Sequence, residues 1–159
     1  MIKDKILTAD QLAGILEDER QAGKRVVFTN GCFDLLHAGH AQYLEEARAL
    51  GDILVLGLND DASVRRLKGQ SRPIVSETDR ALLVAALTSV DYVCIFSEDT
   101  PYELIRKLQP DILVKGGDWQ VADIVGADLV TSRGGSVHSL PFREGLSSTA
   151  IIAKIKEIQ

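Results

Sequence analysis

Two of the chain's three histidines, His37 and His40, fall in the run His37-Ala-Gly-His40. That spacing can set both imidazoles on one face of a helical turn, where they can donate to phosphate oxygens. Before them, residues 26–29 read as a short buried strand, and Asn30-Gly31 tolerates the turn that ends it. After them, Tyr43, Leu44 and Ala47 recur at helical spacing, so the histidines belong to a helix's first turn. The unpaired N–H groups and positive dipole end of that turn favour an anion, and Gly39 removes a side chain that would obstruct its approach. Lys68 adds a flexible point charge suited to phosphate. Ser147-Ser-Thr149 can cap a last helix carrying Ile151, Ile152, Ile155 and Ile158, and the same turn makes a second anion site. In Lys115-Gly-Gly-Asp-Trp119, two glycines permit close approach to a ring or sugar, Asp118 can accept from hydroxyls, and the only Trp can stack.

These groups need a scaffold that brings distant loops together. Thr8 caps a leading helix with Leu12, Ile15 and Leu16 on its apolar face, and Gly23 stops it, so residues 1–23 read as a helical extension packed on the core. Ile53-Leu-Val-Leu-Gly-Leu58 has the continuous apolar character of a strand buried on both faces. Asn59-Asp-Asp61 ends it and caps a short basic helix carrying Val64, Arg65, Arg66 and Leu67. A helix is predicted over 77–88 with Leu82, Leu83, Ala86 and Leu87 inward, then a strand over 92–96. Thr100-Pro101 starts a helix that runs to Leu108, and Pro110 ends it. Further strands are expected over 112–114 and 136–140, separated by a helix over 121–133 with Gly126 as its weak point. The alternation specifies a single doubly wound, Rossmann-like α/β domain over 1–159: a five-stranded parallel sheet with helices on both faces. Ligands in such folds bind at the carboxyl ends of the strands.

Composition narrows the function classes. The 159 residues are 45% hydrophobic and 26% charged, enough for one substantial core and not for two. The net charge is −5, and no run of Lys and Arg is longer than the Arg65-Arg66 pair, so nucleic acid is not an expected partner. The first residues are too polar for a signal peptide and no apolar run nears membrane-spanning length, so no membrane association and a cytoplasmic location are expected. Cys32 and Cys94 are unclustered, which argues against a disulfide framework or a metal knuckle; no metal ligand is assigned, and Asp60 and Asp61 read equally well as caps. The dinucleotide fingerprint and the P-loop are both missing, which disfavours a dehydrogenase or a P-loop kinase.

Gly31-Cys-Phe-Asp34 followed by His37-Ala-Gly-His40 resembles the G-x-F-D-x-x-H-x-G-H signature of the cytidylyltransferase-like nucleotidyltransferases. Within them, nearly the whole chain is similar to the bacterial D-glycero-β-D-manno-heptose 1-phosphate adenylyltransferases, found alone or as the C-terminal half of a bifunctional heptose enzyme. The likeness is carried by Val26-Val-Phe-Thr-Asn-Gly-Cys-Phe-Asp34, Leu58-Asn-Asp-Asp-Ala-Ser63, Arg66-Leu-Lys-Gly-Gln-Ser-Arg-Pro73, Leu113-Val-Lys-Gly-Gly-Asp-Trp119 and Gly145-Leu-Ser-Ser-Thr149. The resemblance implies transfer of AMP from ATP to the heptose 1-phosphate, giving ADP-heptose and pyrophosphate for lipopolysaccharide core synthesis, with Mg²⁺ accompanying ATP, in a homodimer.

It further implies catalytic roles for His37, His40 and Lys68, and nucleotide contacts from Gly31, Cys32, Phe33, Gly39, His40, Gly116, Ser147, Ser148 and Thr149. Acceptor contacts are implied for Asp34, Lys68, Arg80, Lys115, Asp118 and Trp119. Arg80 resembles an arginine near the family's active site, and a helical pair with Glu77 would account for it equally. No kinase half precedes residue 1, so the stand-alone form is expected. Glycerol 3-phosphate cytidylyltransferases read R-T-E-G-I-S-T-T near the end, and their arginine falls on Phe142, which weighs against cytosine recognition. Two alternatives stand beside this reading: a transferase using CTP and a polyol or amino-alcohol phosphate, and a non-catalytic nucleotide-binding module, disfavoured because both histidines and Lys68 are present.

Overall fold

The apolar runs become five parallel strands in the computed structural model, which describes residues 1–158. They are β1 (Val26–Gly31), β2 (Ile53–Asn59), β3 (Tyr92–Phe96), β4 (Ile112–Gly116) and β5 (Ser136–Leu140). The order across the sheet is β3-β2-β1-β4-β5, and β1 is central, pairing Val27 with Leu54 on one side and with Ile112 on the other. The chain thus leaves β1 towards β2 and β3, then returns to lay β4 and β5 on its far side. That reversal opens a crevice at the carboxyl ends of β1 and β4.

Among the described residues, seven α-helices cover the sheet: α1 (Ala9–Gln21), α2 (Ala38–Arg48), α3 (Asp61–Lys68), α4 (Glu77–Ala85), α5 (Tyr102–Leu108), α6 (Ala127–Ser132) and α7 (Ser148–Glu157). Because strand side chains alternate between faces, β1 sends Val26 and Phe28 to one core and Val27 to the other. The first core includes Leu12 and Leu16 of α1, Leu104, Ile105 and Leu108 of α5, and Ala127 and Val130 of α6. The second includes Tyr43, Leu44 and Ala47 of α2 and Ala81, Val84 and Ala85 of α4. The doubly wound architecture read from the sequence is the observed one.

Several local expectations need correction. β1 runs through Asn30 and Gly31 because both continue the ladder to β2, opposite Gly57 and Leu58. α4 ends at Ala85, and its inward face is Arg80, Ala81, Val84 and Ala85, while Leu83 is 47% exposed. The leucine periodicity misplaced this face because Arg80 must turn inward to reach its partners, which rotates the helix. Residues 121–133 split into a 3₁₀ turn (Val121–Asp123) and α6, since Gly126 adopts φ +89° and breaks the helix. The isoleucine stripe of α7 packs only at its start: Ile151 and Ile152 are half-buried, whereas Ile155 and Ile158 are 58% and 75% exposed.

Candidate active site

Strand-end residues Asn30 and Gly31 of β1, Asn59 of β2 and Val114, Lys115 and Gly116 of β4 form the floor of a cleft of about 420 Å³. His40 and Tyr43 of α2 and Lys68 at the end of α3 wall it, together with Trp119, Phe142 and Ser148. The crevice at the sheet's switch point is therefore where the sequence-predicted loops converge.

His37 is the N-cap of α2, and His40 lies in its first turn. Their rings stack with centroids 3.8 Å apart, and the His37 N–H donates to His40 Nδ1 at 3.4 Å. His40 lines the cleft with His37 stacked against it, and His37 Nδ1 is buried without a hydrogen-bond partner. Burial, then His37, then Lys68 push His40's pKa down to about 4, and burial lowers that of His37. Both imidazoles are thus neutral near pH 7. The Nδ1 of His40 is taken up as an acceptor, which leaves the proton on Nε2 as a donor. Gly39 serves a different end from the one its place in the loop suggested. A Cβ there would stand 3.0 Å from the His37 ring and 3.3 Å from Leu146, so glycine makes room for the histidine pair and for the approach to α7.

Beside the histidines, Phe33 adopts φ +45° and tilts against His40 at 5.0 Å between centroids. A Cβ on Gly31 would lie 2.8 Å from the Phe33 ring, so Gly31 admits that ring. Cys32 contacts Asn59 Oδ1 at 3.9 Å, and burial raises its thiol pKa, so it lines the cleft as a thiol.

Two residues expected to contact the acceptor are held by protein groups, although Asp34 also lines the cleft. Asp34 is 4% exposed and accepts from the N–H groups of Ile74 and Val75 at 2.9–3.0 Å and from Arg72 at 3.3 Å. Its carboxylate anchors the loop after α3. Arg80 is wholly buried and donates to the carbonyls of Val75 (2.9 Å), Cys32 (2.7 Å) and Asn59 (2.8 Å) and to Asp61 (2.7 Å). Its acceptors are β1, β2 and α3 neighbours, so it braces the strand ends from behind and presents no donor to the cleft. The alternative pair with Glu77 is not formed: Glu77 accepts from the Asp61 N–H instead. Asp60 is the α3 cap, accepting from the Ser63 N–H.

Lys68 is exposed at the cleft, with Gly69 after it at φ +101°. Lys115 is half-buried, its pKa lowered by that burial, with Nζ 5.7 Å from the Trp119 ring centre. Trp119 donates from Nε1 to the Gly116 carbonyl. Asp118 is exposed and stands outside the cleft wall. At α7, Ser147 caps through the Ala150 N–H, Ser148 donates to the Leu35 carbonyl and Thr149 accepts from Arg72. These hydroxyls are used to hold the turn, which leaves the amides of Ser148 and Thr149 as donors that could meet an anion. Arg65 and Arg66 stay at the surface, Arg66 bonded to Asp99 and the Ser97 carbonyl. Arg143 donates to Gln42.

Sequence reasoning gave no role to Arg72, whose guanidinium spans Asp34 and Thr149 and so links the loop before α2 to the start of α7. The sequence shows Tyr43 only as part of a helical pattern, yet its hydroxyl bonds Thr29 at 2.6 Å while its ring edges the cleft. No short motif signals either contact.

The cytidylyltransferase-like family model matches residues 28–154. Proteins named bifunctional protein HldE are 59% identical over 153 residues in Trichlorobacter lovleyi and 60% identical over 151 residues in Syntrophotalea carbinolica. These matches cover 96% and 95% of this chain, which spans about a third (31%) of the length of each relative. Among solved structures, the lipopolysaccharide core biosynthesis protein of Thermoplasma volcanium is 31% identical with a TM-score of 0.60, over 76% of this chain and 98% of that one. A pantoate-beta-alanine ligase from Francisella tularensis shares the fold at 15% identity and a TM-score of 0.61, over 95% of this chain and 76% of the other. With its motif at the start of α2 and a family match over most of its length, the chain belongs to the cytidylyltransferase-like family of nucleotidyltransferases.

Proposed function

We propose that the protein transfers AMP from ATP to D-glycero-β-D-manno-heptose 1-phosphate, releasing pyrophosphate and yielding ADP-heptose in the cytoplasm for lipopolysaccharide core synthesis. The observation that carries the reading is the stacked His37–His40 pair at the start of α2, opening on a cleft that also holds Lys68 and Ser148 at the start of α7. A phosphate oxygen of the sugar attacks the α-phosphorus in line, the bond to the β-phosphate oxygen breaks, and pyrophosphate leaves with the electron pair. The attacking phosphate is already anionic, so the step needs no general base.

The protein's task is to hold two polyanions together and neutralise charge developing on the leaving oxygens. His40 donates from Nε2, Lys68 supplies the mobile cation, and the amides of α2 and α7 grip the triphosphate. His37 positions His40 through the stack and its N–H. Among the described residues no three His, Cys, Asp or Glu side chains converge as a metal cage. In this reading Mg²⁺ accompanies ATP as part of the nucleotide substrate. No helix among the described residues is long and apolar enough to cross a membrane.

The acceptor assignment follows the resemblance to the heptose branch and the high identity to the HldE proteins. Pyrophosphate release across four nucleotides and several phosphate acceptors tests it. ATP with the heptose 1-phosphate is expected to react far faster than CTP with glycerol 3-phosphate, and a clear CTP preference overturns the reading. A homodimer is proposed as well, since α7 leaves Ile155 and Ile158 uncovered. A monomer mass by light scattering at micromolar concentration would refute it.

A further inference from the structure

The cleft has two chemically different ends. Towards α3 and α5 its walls include Asp99, Thr100 and Asp123, groups that can accept from hydroxyls. Towards the loop between β5 and α7 its walls are Tyr43, Gly116, Trp119 and Phe142. Phe142 is 62% exposed and Trp119 48% exposed, an arrangement that costs apolar hydration unless a ligand covers it.

Phe142 is seated rather than loose. A Cβ on Gly116 would lie 2.5 Å from its ring, so the strand-end glycine that could have admitted a ligand instead admits this phenyl. The Tyr43 ring meets it at 6.1 Å between centroids, tilted by 48°. Phe142 and Trp119 both come within 3.4 Å of the Cβ position of Gly117, so the two exposed rings adjoin over one glycine pair. Next to Phe142, Arg143 ties the loop to α2 through Gln42. The same loop continues into Ser147, the cap of α7, so a nucleotide whose phosphates reach that turn has its base within the span of this segment.

We propose that Phe142, seated on Gly116 beside Tyr43, is the platform on which the nucleotide base stacks, and that it sets a preference for purines. The proposal rests on the nucleotidyl-transfer reading above. A phenyl ring offers no hydrogen bond with which to read a pyrimidine edge. Selection then follows stacking area, which is larger for a two-ring base. The polyhydroxylated acceptor then takes the opposite end, where Asp123 can accept hydrogen bonds from its hydroxyls, so that Trp119, expected from the sequence to meet the acceptor, lies instead beside the base.

Binding of the non-reactive analogue α,β-methylene-ATP, without acceptor, reads the platform directly. Phe142→Ala should weaken it by about tenfold or more, the range for losing one base–aromatic stack. Phe142→Leu should weaken it nearly as much despite its bulk, and Phe142→Trp should restore it. The corresponding CTP analogue should lose less, about fivefold, the low end of the same range, since its smaller base gains less from stacking. In turnover the effect should fall on KM for ATP, with kcat and the KM for the sugar phosphate changed far less. Melting curves of each variant check folding. Unaltered analogue affinity in Phe142→Ala, or a rise confined to the KM of the sugar phosphate, overturns the platform while leaving the transferase reading intact. A wild-type protein that prefers CTP overturns both, and is seen before any variant is made.

Discussion

Arg80 and Lys68 are two cations on helices that flank one loop, and the structure uses them in opposite ways. Arg80, at the base of α4, is wholly buried and gives its donors to three carbonyls and one carboxylate. Lys68, at the tip of α3, is exposed where the cleft opens. A rigid guanidinium fork suits the first place, because several fixed acceptors can be met at once; a flexible ammonium suits the second, because it can follow a ligand. The contrast teaches that a cation's place near a motif in sequence does not reveal its work. Burial with every guanidinium nitrogen bonded marks a brace, and exposure at a cleft marks a group kept for a ligand.

The comparison breaks most visibly at Arg80. Arg80→Met should cost about 3–5 kcal/mol of stability, because it leaves Asp61 and three carbonyls without their buried partner. Urea unfolding measures this, and ATP affinity of the folded fraction should be unchanged. A stable Arg80→Met that fails to bind ATP would return Arg80 to the ligand site. Next comes His40→Ala, expected to lower kcat by roughly two to three orders of magnitude, as for loss of one preorganised donor to a developing anion. ATP affinity should fall much less, since two helix N-termini remain. Stability should fall by about 1 kcal/mol, because His40 also accepts from the N-cap amide of α2. Retention of more than about a third of the turnover would contradict the assigned role, being far outside the range for such donors.

Lys68→Met sharpens the other side. Losing one charge-assisted contact should reduce kcat/KM for ATP by about tenfold to a hundredfold. The melting temperature should stay within about a degree, since surface changes seldom alter stability. Added salt should depress wild-type kcat/KM more than that of the variant. Equal salt dependence would show that Lys68 is only a solvated surface charge.

The fold was legible because its signals are local: continuous apolar runs for strands buried on both faces, and caps such as Thr8, Asp60 and Ser147 where helices begin. The histidine pair was legible for the same reason, since a three-residue spacing fixes a shared helical face. What escaped depends on contacts between distant segments. Asp34 meets the amides of Ile74 and Val75, and Arg72 reaches Thr149, across separations that no periodicity encodes. The inward face of α4 was misread because Leu82 and Leu83 outweighed Arg80, whose burial follows only once the strand-end carbonyls are in place. Gly39 and Gly116 were read as space for a ligand, and the space belongs to His37 and Phe142.

His40 combines features of the two cations, since it is partly buried where Arg80 is wholly so and opens to the cleft as Lys68 does, and its titration should report that position. Burial, His37 and Lys68 hold its pKa at about 4, against an ordinary 6.5. Between these values the unfolded chain binds the proton more readily than the folded one, so protonation favours unfolding. The stability contribution is therefore complete above pH 6.5 and is lost as pH falls towards 4. A bound triphosphate reverses the preference, since negative charge beside the ring favours imidazolium. Stability of the free protein and affinity for the ATP analogue should accordingly run in opposite directions between pH 6.5 and 5. Melting temperature and analogue affinity, each measured as wild type minus His40→Gln, isolate the imidazole from the carboxylates and the γ-phosphate that titrate nearby. Binding in this window should also take up protons, seen as a buffer-dependent heat in calorimetry. If the two differences share one sign, or neither changes with pH, His40 does not face the triphosphate.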